Sequence, residues 1–185
     1  MRVAVLGAGG RMGATVCEAV AGDPELELVA AVDPKATGEV QGVTISPTIE
    51  ALFDNDAQVA VDFTEATAAR ENLRWLAEQG VHAVVGTTGM SPEDLDEIAD
   101  WFGEGRANCV LAPNFAIGAV LMMKFAAEAA RWFETAEIIE LHHDQKIDAP
   151  SGTAMRTAQL MQEARAAEGA GEWAADPTTK VVADG

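Results

Sequence analysis

The stretch Met1-Arg-Val-Ala-Val-Leu-Gly-Ala-Gly-Gly-Arg-Met-Gly13 decides the fold. Val3–Leu6 is a short unbroken apolar run that ends in glycine, the pattern of a strand covered on both faces. Gly7, Gly9, Gly10 and Gly13 let the backbone turn tightly and approach an anion, and Gly13–Ala21 reads as a helix. A pyrophosphate at such a junction would face the N–H groups and positive end of the helix. A strict G-x-G-x-x-G needs glycine at position 12, where Met12 stands, so the spacing here is Gly7, Gly10, Gly13 with Gly9 extra. The glycines alone fit a plain tight turn as well. The strand before them, the helix after them, and Asp33 closing the next strand favour a dinucleotide. An acid at Asp33 suits the ribose hydroxyls of NADH and repels the 2′-phosphate of NADPH, although Arg11 and Lys35 stand close enough in sequence to offset that repulsion. The cofactor expected is NADH or NADPH, with NADH preferred.

Outward from this turn, strands and helices alternate. Strands are expected at Val3–Leu6, Leu26–Val32, Val59–Phe63, Val81–Val85 and Cys109–Ala112, and helices at Gly13–Ala21, Thr48–Phe53, Ala66–Gln79 and Pro92–Phe102. Gly80 stands where a helix-ending glycine belongs, and Ser91-Pro-Glu-Asp94 carries a helix-start signature. Alternation of this kind means right-handed crossovers and an α/β, doubly wound parallel sheet. After Asn114 the pattern changes. Ala116–Phe133 reads as a helix apolar nearly all round, with Lys124, Glu128 and Arg131 on one stripe and the rest expected to be buried. A strand at Glu137–His142, a helix from about Thr153 to Ala167, a loop over Glu168–Thr179 and a strand beginning at Lys180–Val182 complete the reading. Residues 1–116 are expected to form the dinucleotide-binding domain, and 117–185 an incomplete α+β substrate and tetramerisation domain.

Composition excludes several classes. Apolar residues at 49% and charged residues at 23% describe a globular chain. A formal charge of −18 with only four lysines argues against nucleic acid, which needs clustered cations, so any anionic ligand must be met by a local basic pocket. No apolar run reaches membrane-spanning length and the first residues lack a signal peptide's basic start and cleavage site, so a cytoplasmic protein is expected. Cys17 and Cys109 are far apart among apolar neighbours and read as buried free thiols.

Two further fragments lie where strands end. Gly86-Thr-Thr-Gly89 follows the fourth strand and reads either as an ordinary turn or as a ligand loop beyond the carboxyl end of a sheet. Ala112-Pro-Asn-Phe115 ends the fifth, with Asn114 offering an amide and Phe115 a ring wall. The richest fragment is Glu140-Leu-His-His-Asp-Gln-Lys-Ile-Asp-Ala-Pro-Ser-Gly-Thr-Ala154. Ser151-Gly-Thr153 at a helix start offers N–H groups and a hydroxyl to a carboxylate, and Lys146 adds positive charge. Adjacent histidines on a strand point to opposite sides and cannot close on one ion, so no metal is expected.

GAGGRMG, VDFT at 61–64, VVGTTG at 84–89, APNFAIG at 112–118 and ELHHDQKIDAPSGTA at 140–154 together resemble the dihydrodipicolinate (4-hydroxy-tetrahydrodipicolinate) reductase family. The resemblance implies a Rossmann domain joined to a mixed α+β domain, a homotetramer, and reduction of a cyclic imine dicarboxylate in lysine and diaminopimelate biosynthesis. By resemblance, His142 is the catalytic acid/base and Lys146 the second proton donor. His143, Gly152 and Thr153 would hold substrate carboxylate. Gly7, Ala8, Gly9, Gly10, Arg11, Met12, Asp33, Gly86, Thr87, Thr88, Ala112, Pro113, Asn114 and Phe115 would line the cofactor. Chains of the family continue beyond the segment corresponding to Gly185, so this chain is expected to be C-terminally incomplete. The other readings of the same residues are a non-catalytic nucleotide-binding module and another two-domain reductase acting on aspartate or homoserine.

Overall fold

The computed structural model describes residues 1–103, 107–112, 114–142, 144 and 149–174. The chain divides into two compact units, Met1–Pro113 and Asn114–Gly185.

The first unit is an α/β sheet wound in both directions from its first strand. The strands are β1 (Arg2–Leu6), β2 (Glu27–Val32), β3 (Glu39–Val40), β4 (Val43–Ser46), β5 (Val59–Asp62), β6 (His82–Val85) and β7 (Cys109–Leu111). They lie in the order β3-β4-β2-β1-β5-β6-β7, all neighbours parallel except the β3–β4 pair. The helices of the unit are α1 (Arg11–Gly22), α2 (Ala51–Asp54), α3 (Ala66–Gln79) and α4 (Pro92–Gly103). The chain passes from β1 to β2 on one side and reaches β5 on the other. A topological switch point therefore opens beside β1, where ligands of such sheets bind beyond the carboxyl ends.

The apolar runs work because successive side chains leave a strand on opposite faces. Ala4 and Leu6 join Ala30, Val32, Leu52, Leu73, Leu76 and Ile98 in one core under α2, α3 and α4. Val5 and Ala31 join Ala8 and Cys17 in a second core under α1. Leu73 and Leu76 are fully buried, each contributing roughly 1.5–3 kcal/mol.

The end signals hold. Gly80 caps α3 in the left-handed region at φ 74°. Ser91 Oγ accepts from Asp94 N at 3.1 Å while Asp94 Oδ2 accepts from Ser91 N at 2.9 Å, a reciprocal capping box for α4. The sheet has seven strands rather than the five expected. The additional pair is a hairpin turned by Gln41 and Gly42, both at positive φ. The helix expected from Thr48 begins at Ala51, because Ser46 Oγ exchanges hydrogen bonds with the Thr48 backbone and holds 46–48 in a turn.

In the second unit α5 (Ile117–Ala130) packs on α6 (Gly152–Ala167). Met123 and Ala130 of α5 and Thr157, Met161 and Arg165 of α6 are buried. Arg165 donates to the carbonyls of Ala130, Phe133, Ala170 and Glu172, and its guanidinium lies 4.1 Å from the Trp173 ring centre. Two expectations fail here. Residues 137–142 form no strand, since a strand needs a ladder partner and no described segment supplies one. The apolar bulk of α5 is not buried either, since Ile117, Leu121, Met122 and Phe125 are exposed. Lys124, Glu128 and Arg131 instead border a groove of about 490 Å³ shared with Leu160 and Ala164 of α6. The strand expected at Lys180–Val182 lies outside the described residues. No described helix is long and apolar enough to cross a membrane.

Candidate active site

In the first unit a cavity of about 420 Å³ opens at the switch point, within the range of small-molecule sites. Its walls come from four strand ends and α3: Leu6, Gly7 and Gly10 at β1, Val32–Lys35 at β2, Pro47 and Ile49 after β4, Phe63–Glu65 after β5, and Ala68 and Asn72 of α3. The glycine loop is built for close approach. A Cβ at Gly13 would lie 2.0 Å from the Gly7 carbonyl oxygen, and one at Gly9 would lie 2.3 Å from Ala36 Cβ. Gly7 itself stands at φ 79°.

The loop spends most of its own donors. Gly7 N and Ala8 N donate to Val32 O at 2.8 and 3.1 Å, Gly10 N to Gly7 O at 3.0 Å, and Gly9 N to Asp33 Oδ2 at 3.0 Å. Ala8 is buried, whereas Gly9, Gly10, Arg11 and Met12 are exposed. What remains is the first turn of α1, whose N–H groups of Arg11, Met12 and Gly13 have no partner among the described residues and no side-chain cap. Those donors and the helix end they mark fit a pyrophosphate. Asp33 has two tasks in the fold. Besides holding Gly9, its Oδ1 accepts from Lys35 N at 2.8 Å, so the glycine turn and the β2 exit are fastened to one carboxylate.

A second carboxylate, Asp62, carries no role in the sequence reading. It is fully buried at the end of β5. Its Oδ1 accepts from Thr64 N at 2.8 Å, Thr64 Oγ1 at 2.6 Å and Thr87 Oγ1 at 3.3 Å, and its Oδ2 from Asn72 Nδ2 at 2.8 Å. It ties the loops after β5 and β6 to α3. The signal was an acid ending an apolar strand, a place a carboxylate occupies only when donors surround it. Thr87 is buried and also contacts Thr64 O at 3.2 Å, while Thr88 is exposed. Gly86 lies against Phe63, and a Cβ there would lie 2.1 Å from its ring unless the ring moved. Ala112 N closes on Val85 O at 3.0 Å. Pro113 lies outside the described residues.

The second unit carries the remaining candidates. Asn114 Oδ1 accepts from Ala116 N at 2.8 Å and its Nδ2 donates to Thr153 Oγ1 at 3.3 Å, which brings two expected site residues together. Phe115 is exposed. Ser151 caps α6, its hydroxyl accepting from Ala154 N at 3.1 Å. The N–H groups of Gly152 and Thr153 have no partner among the described residues. Glu140, also without a role in the sequence reading, accepts from Ser151 N at 2.8 Å through Oε1, and its Oε2 lies 3.6 Å from His142 Nδ1. His143 and Lys146 lie outside the described residues. Among the described residues no group of three or more His, Cys, Asp or Glu converges for a metal.

Comparison with known proteins agrees with this architecture. The family model described as "Dihydrodipicolinate reductase, N-terminus" matches residues 1–115, and "Dihydrodipicolinate reductase, C-terminus" matches 118–181. The 4-hydroxy-tetrahydrodipicolinate reductase of Mycolicibacterium vanbaalenii is 48% identical over 166 residues, covering 89% of this chain and 63% of that protein. A dipicolinate-bound dihydrodipicolinate reductase from Paenisporosarcina sp. TG-14 superposes with a TM-score of 0.82 at 36% identity, over 100% of this chain and 72% of that one. GenD2 from gentamicin A biosynthesis, solved in complex with NAD, gives a TM-score of 0.57 at 25% identity over 70% of this chain and 39% of its own. The chain spans 63% to 65% of the length of the first curated relatives it matches. With both family models matched in order along it, the chain belongs to the dihydrodipicolinate reductase family.

Proposed function

We propose that this chain carries the dinucleotide site and part of the substrate site of a cytoplasmic NAD(P)H-dependent reductase of 4-hydroxy-tetrahydrodipicolinate. The observation that carries the reading is the cavity at the switch point, bordered by Gly7, Gly10 and Asp33 and followed by the uncapped first turn of α1. The N–H groups of Arg11, Met12 and Gly13 would hold pyrophosphate, and Asp33 the ribose hydroxyls, which favours NADH. Bound dinucleotide supplies the hydride. Gly86, Thr88, Ala112 and Pro113 follow the ends of β6 and β7 and would border the same ligand.

The substrate is a dianion, and an acidic protein must receive it locally. The N–H groups of Gly152 and Thr153 at the positive end of α6 would take one carboxylate, with His143. His142, which lies beside Glu140, would exchange the proton, and Lys146 would serve both binding and proton transfer. The family resemblance gives a homotetramer built through the second unit, and the exposed Ile117, Leu121 and Phe125 support it.

Titrating the chain with NADH, followed by fluorescence, tests the first half. Saturable binding should weaken more than about tenfold in Gly13→Ala, whose Cβ meets backbone. Undiminished binding in that variant would remove the pyrophosphate assignment. In a chain of the relatives' length, His142→Ala should lower kcat by about 10²–10⁴, Lys146→Ala should raise KM and lower kcat, and His143→Ala should act through KM. Loss of turnover in His143→Ala with turnover kept in His142→Ala would exchange the two roles.

A further inference from the structure

We propose that Glu65 sets the dinucleotide preference of this chain, by holding Lys35 and adding a second carboxylate to the cavity that Asp33 borders. The inference rests on reading that cavity as the dinucleotide site. Asp33, Lys35 and Glu65 all line it, Asp33 and Lys35 from the end of β2 and Glu65 from the end of β5. Lys35 Nζ lies 3.4 Å from Glu65 Oε1. Among the described lining residues Lys35 is the only cation, so the cavity carries two carboxylates against one ammonium.

The side chain of Glu65 takes no part in capping α3. Glu65 is the N-cap residue of that helix, where the shorter Asp, Asn, Ser or Thr side chains ordinarily accept an N–H from the first turn. It makes no such bond and contacts Lys35 instead. Both side chains are more than 80% exposed (82% and 83%), so the pair adds little to the fold and its charge is felt by whatever enters. Lys35 is placed for the encounter by its own backbone, which donates to Asp33 Oδ1 at 2.8 Å.

A 2′-phosphate carries a charge of about −1.5 to −2 near neutral pH. Entering this cavity it would meet Asp33 and Glu65, with Lys35 already engaged. The unphosphorylated ribose of NADH brings no such charge and needs only acceptors for its hydroxyls. Removing Glu65 frees the lysine and removes one repulsion in a single step.

The test is direct titration of the 185-residue chain with NADH and with NADPH, with melting temperature measured alongside. Glu65→Gln should shift the ratio of the two dissociation constants toward NADPH by roughly threefold to tenfold. Glu65→Lys should shift it further, and the melting temperature should stay within a few degrees in both. The shift should shrink as salt rises, since the groups are exposed. In a Lys35→Met background the Glu65→Gln shift should be smaller, and an equal shift there would overturn the pairing with Lys35. An unchanged ratio in Glu65→Gln and Glu65→Lys, with both dinucleotides binding, overturns the role of Glu65 alone. If the unmodified chain binds neither dinucleotide, the reading of the cavity falls and this assignment with it.

Discussion

Asp62 receives four hydrogen bonds in a place that water does not reach, and their donors come from residues 2, 10 and 25 positions away. Asp62→Ala leaves those donors unsatisfied and should cost roughly 3–5 kcal/mol in chemical denaturation. Asp62→Asn should cost about 1–2 kcal/mol, since Asn72 can turn its amide to present an oxygen. Equal losses in the two variants would mean that shape, not hydrogen bonding, fixes the site. The thiols make a pH prediction. Burial pushes Cys17 and Cys109 up from 9.0 to about 11, so in the folded chain both stay protonated where unfolded thiols ionise. The raised values add stability that is complete below pH 9 and is lost as pH rises through about 11. The Cys17→Ala, Cys109→Ala double variant should therefore lose less stability between pH 9 and 11. Alkylation at pH 8 should be at least about tenfold slower in the native chain than in urea. At this scale the glycines were legible, because only backbone chemistry explains them. Asp62 and Glu140 were not, because their partners are set by strand order and by the entry to α6.

Among the elements, the sequence names those whose ends carry their own chemistry. The Ser91–Asp94 box and Gly80 are local devices and sit where their residue types place them. The β3–β4 hairpin escaped notice because β3 is two residues long and the turn is Gln41-Gly42, not the commoner Asn-Gly. Residues 137–142 show the opposite error, an apolar pattern without a ladder partner among the described residues. The exposed face of α5 has the same cause, since periodicity tells which side is apolar and not what covers it. The pairing of α5 with α6 depends on Arg165, which reaches four carbonyls and the Trp173 ring from a buried position. Arg165→Met should destabilise this pair by about 3 kcal/mol, read as faster amide exchange across Ile117–Ala130 and Gly152–Ala167. Arg165→Lys should restore little of it, because a point charge cannot span that fork of acceptors. Unchanged exchange in both variants would show that Met123 and Met161 hold the pair without it.

For the whole molecule, alternating strands and helices were enough to give a doubly wound sheet, and hence a crevice at the carboxyl ends where the glycine turn and Asp33 meet. The order of the strands was not readable, because it depends on which apolar runs pair, and the central runs here are much alike. The division between Pro113 and Asn114 falls three residues before the expected boundary at 116, at the proline of the APNF segment. The two borders of the sheet differ in a way that matters outside the folded state. On one side the antiparallel β3, only two residues long, finishes the sheet with a tight reversal that offers a neighbour almost nothing to bond. On the other, β7 pairs in parallel with β6 alone among the described residues, and Val110 is 56% exposed. Among the described residues, a second molecule seeking to extend the sheet would find a strand of matching direction to pair with at β7 and only a tight reversal at the hairpin, so irregular growth of aggregates is favoured at the β7 side.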